Sequence, residues 1–269
     1  MDVLNTTDLR ALLNEYGIRP KRHLGQNFLV SKKILHQILD TADLSADDVV
    51  LEIGGGAGAL SIPLAEHVKK LIIIERDRNL CKILEQQVGR LPHVEIRCED
   101  AKRLDYQDLP HGYRIVSNLP YSVGLVILRS AFESSNPPKN AFVMLQKEVG
   151  ERLLSQPPER SLAGAAMQTI VSMQKLFIIP ASATWPKPDV DSVYMSFVPR
   201  EGLSNTQRSA MLRAIKTGYM HPRKKVLRNL VDATSLASLA RDCAIDENAR
   251  ASELTDTQWI CVAEWQLAR

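Results

Sequence analysis

Val49-Val-Leu-Glu-Ile-Gly-Gly-Gly-Ala-Gly58 reads as a short apolar strand running straight into glycines. Glycine lets the chain turn tightly and approach a ligand closely, and the helix expected next, Ala59–Val68, sets its N-terminus behind the turn. The rhythm then repeats. Leu71–Glu75, Val94–Cys98, Arg114–Ser117 and Ala141–Leu145 read as strands, and Asn79–Val88, Val123–Phe132 and Glu148–Leu154 as helices. Such alternation predicts βαβ units with right-handed crossovers, hence an α/β fold on a parallel sheet. Upstream, residues 8–16 read as a short helix, and Ser31 caps another whose Ile34, Leu35, Ile38 and Leu39 share one face.

After Gln156-Pro-Pro-Glu-Arg the pattern changes. Ser161–Met173 reads as a small-residue helix, and Leu176–Ile179 and Val193–Val198 as strands forming an antiparallel edge, with the Pro-rich loop 180–189 between them. From Ser204 onward the pattern is helical throughout. The expected division is an N-terminal catalytic domain, residues 1–199, and a small all-helical C-terminal domain, residues 200–269.

The net charge of +3 does not decide a partner, but its distribution is uneven. Arg19 to Lys33 holds five Lys/Arg and no acid, and Arg200 to Arg228 holds eight against Glu201 alone. Residues 229–269 carry seven acids against three arginines. This segregation suggests a polyanion-facing surface. Cys81, Cys98, Cys243 and Cys261 form no Cys-x-x-Cys pair and no cluster with histidine, which argues against structural zinc and against a disulfide framework. A reducing, cytoplasmic setting is expected, with no membrane span.

Strand ends carry the candidate chemistry, because ligands of open α/β sheets bind there. Gly54-x-Gly56-x-x-Ala59 satisfies a dinucleotide fingerprint, and Glu75 follows where an acid accepts from ribose hydroxyls. NAD(H) and S-adenosylmethionine both have such a ribose. Glu52 suits a cationic, sulfonium-bearing amino acid better than a pyrophosphate, and Asp100 can accept from an adenine amine. The fourth strand ends in Ser117-Asn118-Leu119-Pro120-Tyr121, where a carboxamide, a rigid turn and a flat ring lie together. An exocyclic base amine is a poor nucleophile. Asn118 Oδ1 and the carbonyl of Leu119 or Pro120 could hold its two N–H bonds, while Tyr121 stacks on the ring.

Leu24-Gly-Gln-Asn-Phe-Leu29, Leu51–Gly58, Asn118–Tyr121, Leu145-Gln-Lys-Glu-Val149 and Asp189-Val-Asp-Ser192 occur in that order. Together they resemble the rRNA adenine N6,N6-dimethyltransferase family, most of all its bacterial small-subunit branch. The resemblance covers nearly the whole chain, and the combination is specific where each motif alone is not. It implies a class I, Rossmann-like methyltransferase fold with S-adenosylmethionine as cofactor and no metal. It implies a monomer that dimethylates N6 of two adjacent adenosines near the 3′ end of 16S rRNA in the small ribosomal subunit. Carried over by position, Asn27, Leu29, Gly54, Glu75, Asp100 and Asn118 contact the methyl donor. Asn118, Leu119, Pro120 and Tyr121 hold the target adenine.

Some positions depart from that pattern. Tyr121 is followed by Ser122-Val123 where Asn-Ile is usual, and Asp189 stands where Lys is usual. The usual second aromatic wall falls on Thr184, with Trp185 one place further on. His221–Leu230 resembles the family's basic helix, with Pro222 in its first turn and Arg223, Lys224, Lys225 and Arg228 placed to neutralise phosphates. Lys21, Arg22, Lys32 and Lys33 extend the patch. The alternatives are Erm-like methylation of large-subunit rRNA, a non-catalytic ribosome assembly factor of the same fold, and, more remotely, a NAD-dependent oxidoreductase.

Overall fold

The computed structural model describes residues 2–20 and 25–269, so Lys21, Arg22 and Leu24 lie outside the described residues. The elements run α1 (Thr6–Glu15), β1 (Phe28–Leu29), α2 (Lys32–Ala42), β2 (Val49–Ile53), α3 (Ser61–His67), β3 (Lys70–Glu75), α4 (Arg78–Gln87), β4 (Val94–Cys98), β5 (Arg114–Asn118), α5 (Gly124–Glu133), β6 (Asn140–Gln146), α6 (Lys147–Leu154) and α7 (Leu162–Ile170). They continue with β7 (Val171–Ile179), β8 (Thr184–Trp185), β9 (Ser192–Pro199), α8 (Asn205–Gly218), α9 (Leu227–Leu230), α10 (Leu236–Asp242) and α11 (Asp256–Leu267).

The main sheet has the order β4-β3-β2-β5-β6-β9-β7. Pairing from β4 through β6 is parallel, and β9 runs antiparallel to β6. The chain moves outward from β2 through β3 to β4, then returns past β2 to β5. Strand order therefore reverses between β2 and β5, and a crevice opens at their carboxyl ends. Val50, Leu51, the run Leu71 to Ile74, Ile115 and Val116 are all buried, as expected for strands covered on both faces. β5 is anchored at its start by the buried Arg114. Its guanidinium donates to Asp48 at 2.6 Å, to Asn140 Oδ1 at 2.9 Å, and to the carbonyls of Asp43 and Ala42.

Several expectations change. β7 begins at Val171, so the small-residue helix stops at Ile170. Two compact units are present, residues 1–147 with 174–199 and residues 148–173 with 200–269. Residues 148–173 group with 200–269 because α7 contributes Ala165 to a core with Met211, Ile215, Leu239, Trp259 and Val262. The cysteines pair, contrary to expectation. Cys81 with Cys98, and Cys243 with Cys261, form disulfides across Cα separations of 6.0 and 5.6 Å. In the first pair a residue of α4 meets the end of β4, a contact made by tertiary packing and invisible in sequence spacing. The scatter of cysteines thus says nothing about compartment.

The basic segment is not a helix through its charged part. Residues 221–226 form turns, with Lys224 N–H donating to His221 O, and helix begins only at Leu227. The Asn229 amide ties the turn by donating to Gly218 O at 2.7 Å and His221 O at 3.3 Å.

Candidate active site

A cavity of about 460 Å³ fills the crevice, within the range of small-molecule sites. Its walls come from the ends of successive strands, and Asn27, Leu29, Gly54, Glu75, Asp100 and Asn118 all line it. Gly54 takes φ +84°, a left-handed conformation, and a side chain there would meet the Pro120 ring at 3.5 Å and Asn118 O at 3.8 Å. The glycine loop and the Asn118 turn therefore lie side by side on one cavity wall.

Glu75 is buried, and its carboxylate accepts from Gly56 N–H at 3.0 Å and Asp77 N–H at 2.8 Å. Arg76 N–H is a third backbone donor to the carboxylate, which leaves one of its four lone-pair sites for a ligand. Burial raises its pKa, against these backbone bonds. Asp100 accepts from Lys102 N–H at 3.1 Å and faces Arg76 at 3.7 Å. Glu52 is 1% exposed and lines the same cavity, and its Oε2 has no hydrogen-bond partner among the described residues. Burial pushes its pKa up to about 8, the nearby Ser61 hydroxyl opposes the shift, and the Glu75 charge adds to it. A buried, orphaned carboxyl oxygen in a cavity wall is what a cationic amino-acid group would satisfy.

At the acceptor end, Asn118 Nδ2 donates to Asn27 O at 3.0 Å, which fixes the carboxamide and leaves Oδ1 to accept. Ser117 Oγ donates to Ile53 O at 2.6 Å and ties the ends of β5 and β2 together. The Pro120 carbonyl already accepts from Val123 and Gly124 N–H, so both its lone pairs are used. Of the two carbonyls expected to hold the amine, that of Pro120 is therefore already engaged. The Leu119 side chain is buried in the core, and neither it nor Tyr121 lines the cavity, whereas Pro120 does. Tyr121 stands just outside, its hydroxyl 2.5 Å from Ser192 Oγ.

Thr184 and Trp185 do not line the cavity either. Thr184 is buried in β8, and Trp185 pairs with Phe28 of β1 and packs against the α1 cluster, with Arg10 over its ring at 5.7 Å. The pairing of β8 with β1 fixes alternate side chains to opposite faces, which turns Trp185 toward α1. The aromatic that does line the cavity is Phe28, set between Asn27 and Leu29, and only its place in that segment could have signalled it.

The model of a family described as "Ribosomal RNA adenine dimethylase" matches residues 17–267. The chain belongs to the ribosomal RNA adenine dimethylase family. It is an S-adenosylmethionine-dependent rRNA adenine dimethyltransferase. Relatives named ribosomal RNA small subunit methyltransferase A include one from Thermotoga neapolitana, 44% identical over 67% of this chain and 69% of that protein. Another, from Thermotoga petrophila, is 34% identical over 90% of each chain. Among solved structures, a Plasmodium falciparum dimethyladenosine transferase aligns with TM-score 0.74 at 21% identity, covering 89% of this chain and 98% of that one. The 23S rRNA methyltransferase ErmE aligns with TM-score 0.71 at 20% identity over 88% and 98%, a likeness of fold. For this rRNA adenine dimethylase, Rossmann-like architecture and a strand-end cavity are parts of one design.

Proposed function

We propose that this chain dimethylates N6 of two adjacent adenosines near the 3′ end of 16S rRNA, within the small ribosomal subunit and so in the cytoplasm. The observation that carries the reading is that the Asn118 turn and the glycine loop line one cavity at the strand-order reversal, with Asn118 Oδ1 left to accept. When bound, S-adenosylmethionine supplies an electrophilic methyl on a cationic sulfonium. Glu52 would hold its ammonium, Glu75 its ribose hydroxyls and Asp100 its adenine amine, with Asn27, Leu29 and Gly54 packing around it. Asn118 Oδ1 and the Leu119 carbonyl accept the two N6 hydrogens and direct the nitrogen lone pair toward the donor. Pro120 makes the turn stiff, and positioning supplies most of the rate. Arg223, Lys224, Lys225 and Arg228 are all exposed, and none is in an ion pair among the described residues, as phosphate contacts require.

The test is methyl transfer from labelled donor to unmethylated 30S subunits, 50S subunits and naked 16S rRNA. Dimethyladenosine mapped to the 3′-terminal hairpin of 30S subunits is expected. Incorporation into 50S subunits alone would replace this substrate with the Erm-like one.

A further inference from the structure

The motif Asp189-Val-Asp-Ser192 has no role in the reaction as described. In the fold it lies where β9 begins, opposite the end of β6, with Ser192 in register with Gln146. Asp191, beside Ser192, is held from two sides. Asp191 O accepts from Lys147 N–H at 3.0 Å, and Asp191 Oδ1 accepts from Ala181 N–H at 2.9 Å. Ser192 is thus a rigid point, 2% exposed, and its hydroxyl meets the Tyr121 hydroxyl. Tyr121, by contrast, sits in the turn after Pro120, partly buried, with Gly25 packed against its backbone so closely that a side chain there would come within 2.8 Å of Tyr121 N.

From this geometry we infer that Ser192 is a positioning residue, which fixes the plane of the Tyr121 ring against which the target adenine stacks. The inference rests on the reading of Asn118–Tyr121 as the adenine site. The Tyr121 ring packs on the core of the first unit along one side, and the bond to Ser192 fixes its far end, so that the ring presents a single plane. The need is acute here, because Trp185 is packed against α1 and gives the adenine no second aromatic wall. Burial raises the Tyr121 pKa, against the bond to Ser192, so the phenol stays protonated and the pair stays neutral. Dimethylation makes an added demand, since the same nitrogen must be presented twice. A looser platform releases the base after one transfer more often.

The experiment compares Ser192→Ala, Tyr121→Phe and the double variant on 30S subunits. The readouts are kcat, KM, donor binding by calorimetry and the ratio of monomethyl- to dimethyladenosine in the product. Each single variant should lower kcat by roughly 10- to 100-fold with little change in KM. Each should also raise the monomethyl fraction and leave donor affinity unchanged. The double variant should be no worse than either single one, because both remove the same bond. Ser192→Thr, which keeps the hydroxyl, should restore the product ratio. Wild-type kcat and product ratio in Ser192→Ala, or additive losses in the double variant, would overturn the inference. Absence of transfer by the wild-type protein would instead defeat the adenine-site reading itself.

Discussion

Glu52 and Asn118 face one cavity from the ends of neighbouring strands, and their environments set opposite tasks. Asn118 is neutral and pre-aimed by Asn27, so replacing it removes an acceptor without leaving a charge behind. Asn118→Ala should cut methyl transfer by at least about 100-fold while donor affinity changes far less. Rapid-quench transfer assays alongside calorimetry would separate the two, and ordinary turnover would move the chemistry elsewhere. Glu52 is ionisable, and folding raises its pKa from 4.5 to about 8. Between those values the native state binds more protons than the unfolded chain, so native stability falls as pH rises through that window. The slope is at most about 1.4 kcal/mol per pH unit. Glu52→Gln should flatten it in the donor-free protein and should also abolish the proton release that accompanies donor binding. Melting curves at pH 5 to 8, and calorimetry in buffers of different ionisation enthalpy, would read both effects. An unchanged slope would show that Glu52 is already ionised. That Asn118, Glu75 and Asp100 line one cavity was legible in sequence because each closes or closely follows a strand. Ser192 was legible only as part of a motif, since its partner lies 71 residues away and is brought near by the antiparallel return of β9.

At the level of elements, long periodic runs could be read and short or polar-anchored ones could not. β2 to β6 announce themselves by apolar runs, but β1 and β8 span two residues each and exist only because they pair. The basic segment shows the same limit. Pro222 and the density of Arg and Lys suggest a helix from there onward, yet the Asn229 side chain bonds back to Gly218 and His221 and holds a turn instead. Arg223, Lys224 and Lys225 therefore project from a turn, and the phosphate contacts proposed for them have no helix face to order them. Replacing all three with Ala should weaken binding to 30S subunits and reduce the slope of log K against log salt by roughly two to three. Filter binding from low to moderate salt measures this directly. An unchanged slope would remove the turn from the RNA surface.

Across the whole molecule, the sequence order hides how the second unit is assembled. Residues 148–173 and 200–269 are separated by strands of the first unit, and a half-buried charge cluster joins them. Arg160, 4% exposed, donates to Asp256 at 2.6 Å, and Arg200 donates to the other carboxylate oxygen at 2.9 Å. Burial alone would raise the Asp256 pKa, but the bonds from Arg200 and Arg160 outweigh it and hold the carboxyl below its usual value. A lowered folded pKa contributes stability that is present above 3.8 and lost as pH falls through the folded value. Asp256→Ala removes the acceptor and leaves the Arg160 charge buried without it, a loss of about 3 kcal/mol. The tryptophans make this measurable, since Trp259 and Trp265 lie in the second unit and Trp259 is fully buried in its core. The tryptophan-monitored melting point at pH 7 should fall by about 10 °C, and the gap between variant and wild type should narrow as pH drops below 4. Donor binding below the transition should persist, because the cavity belongs to the first unit. A melting point that does not move would mean that neither arginine depends on Asp256, and that α7 joins the second unit through the apolar contacts around Ala165 alone.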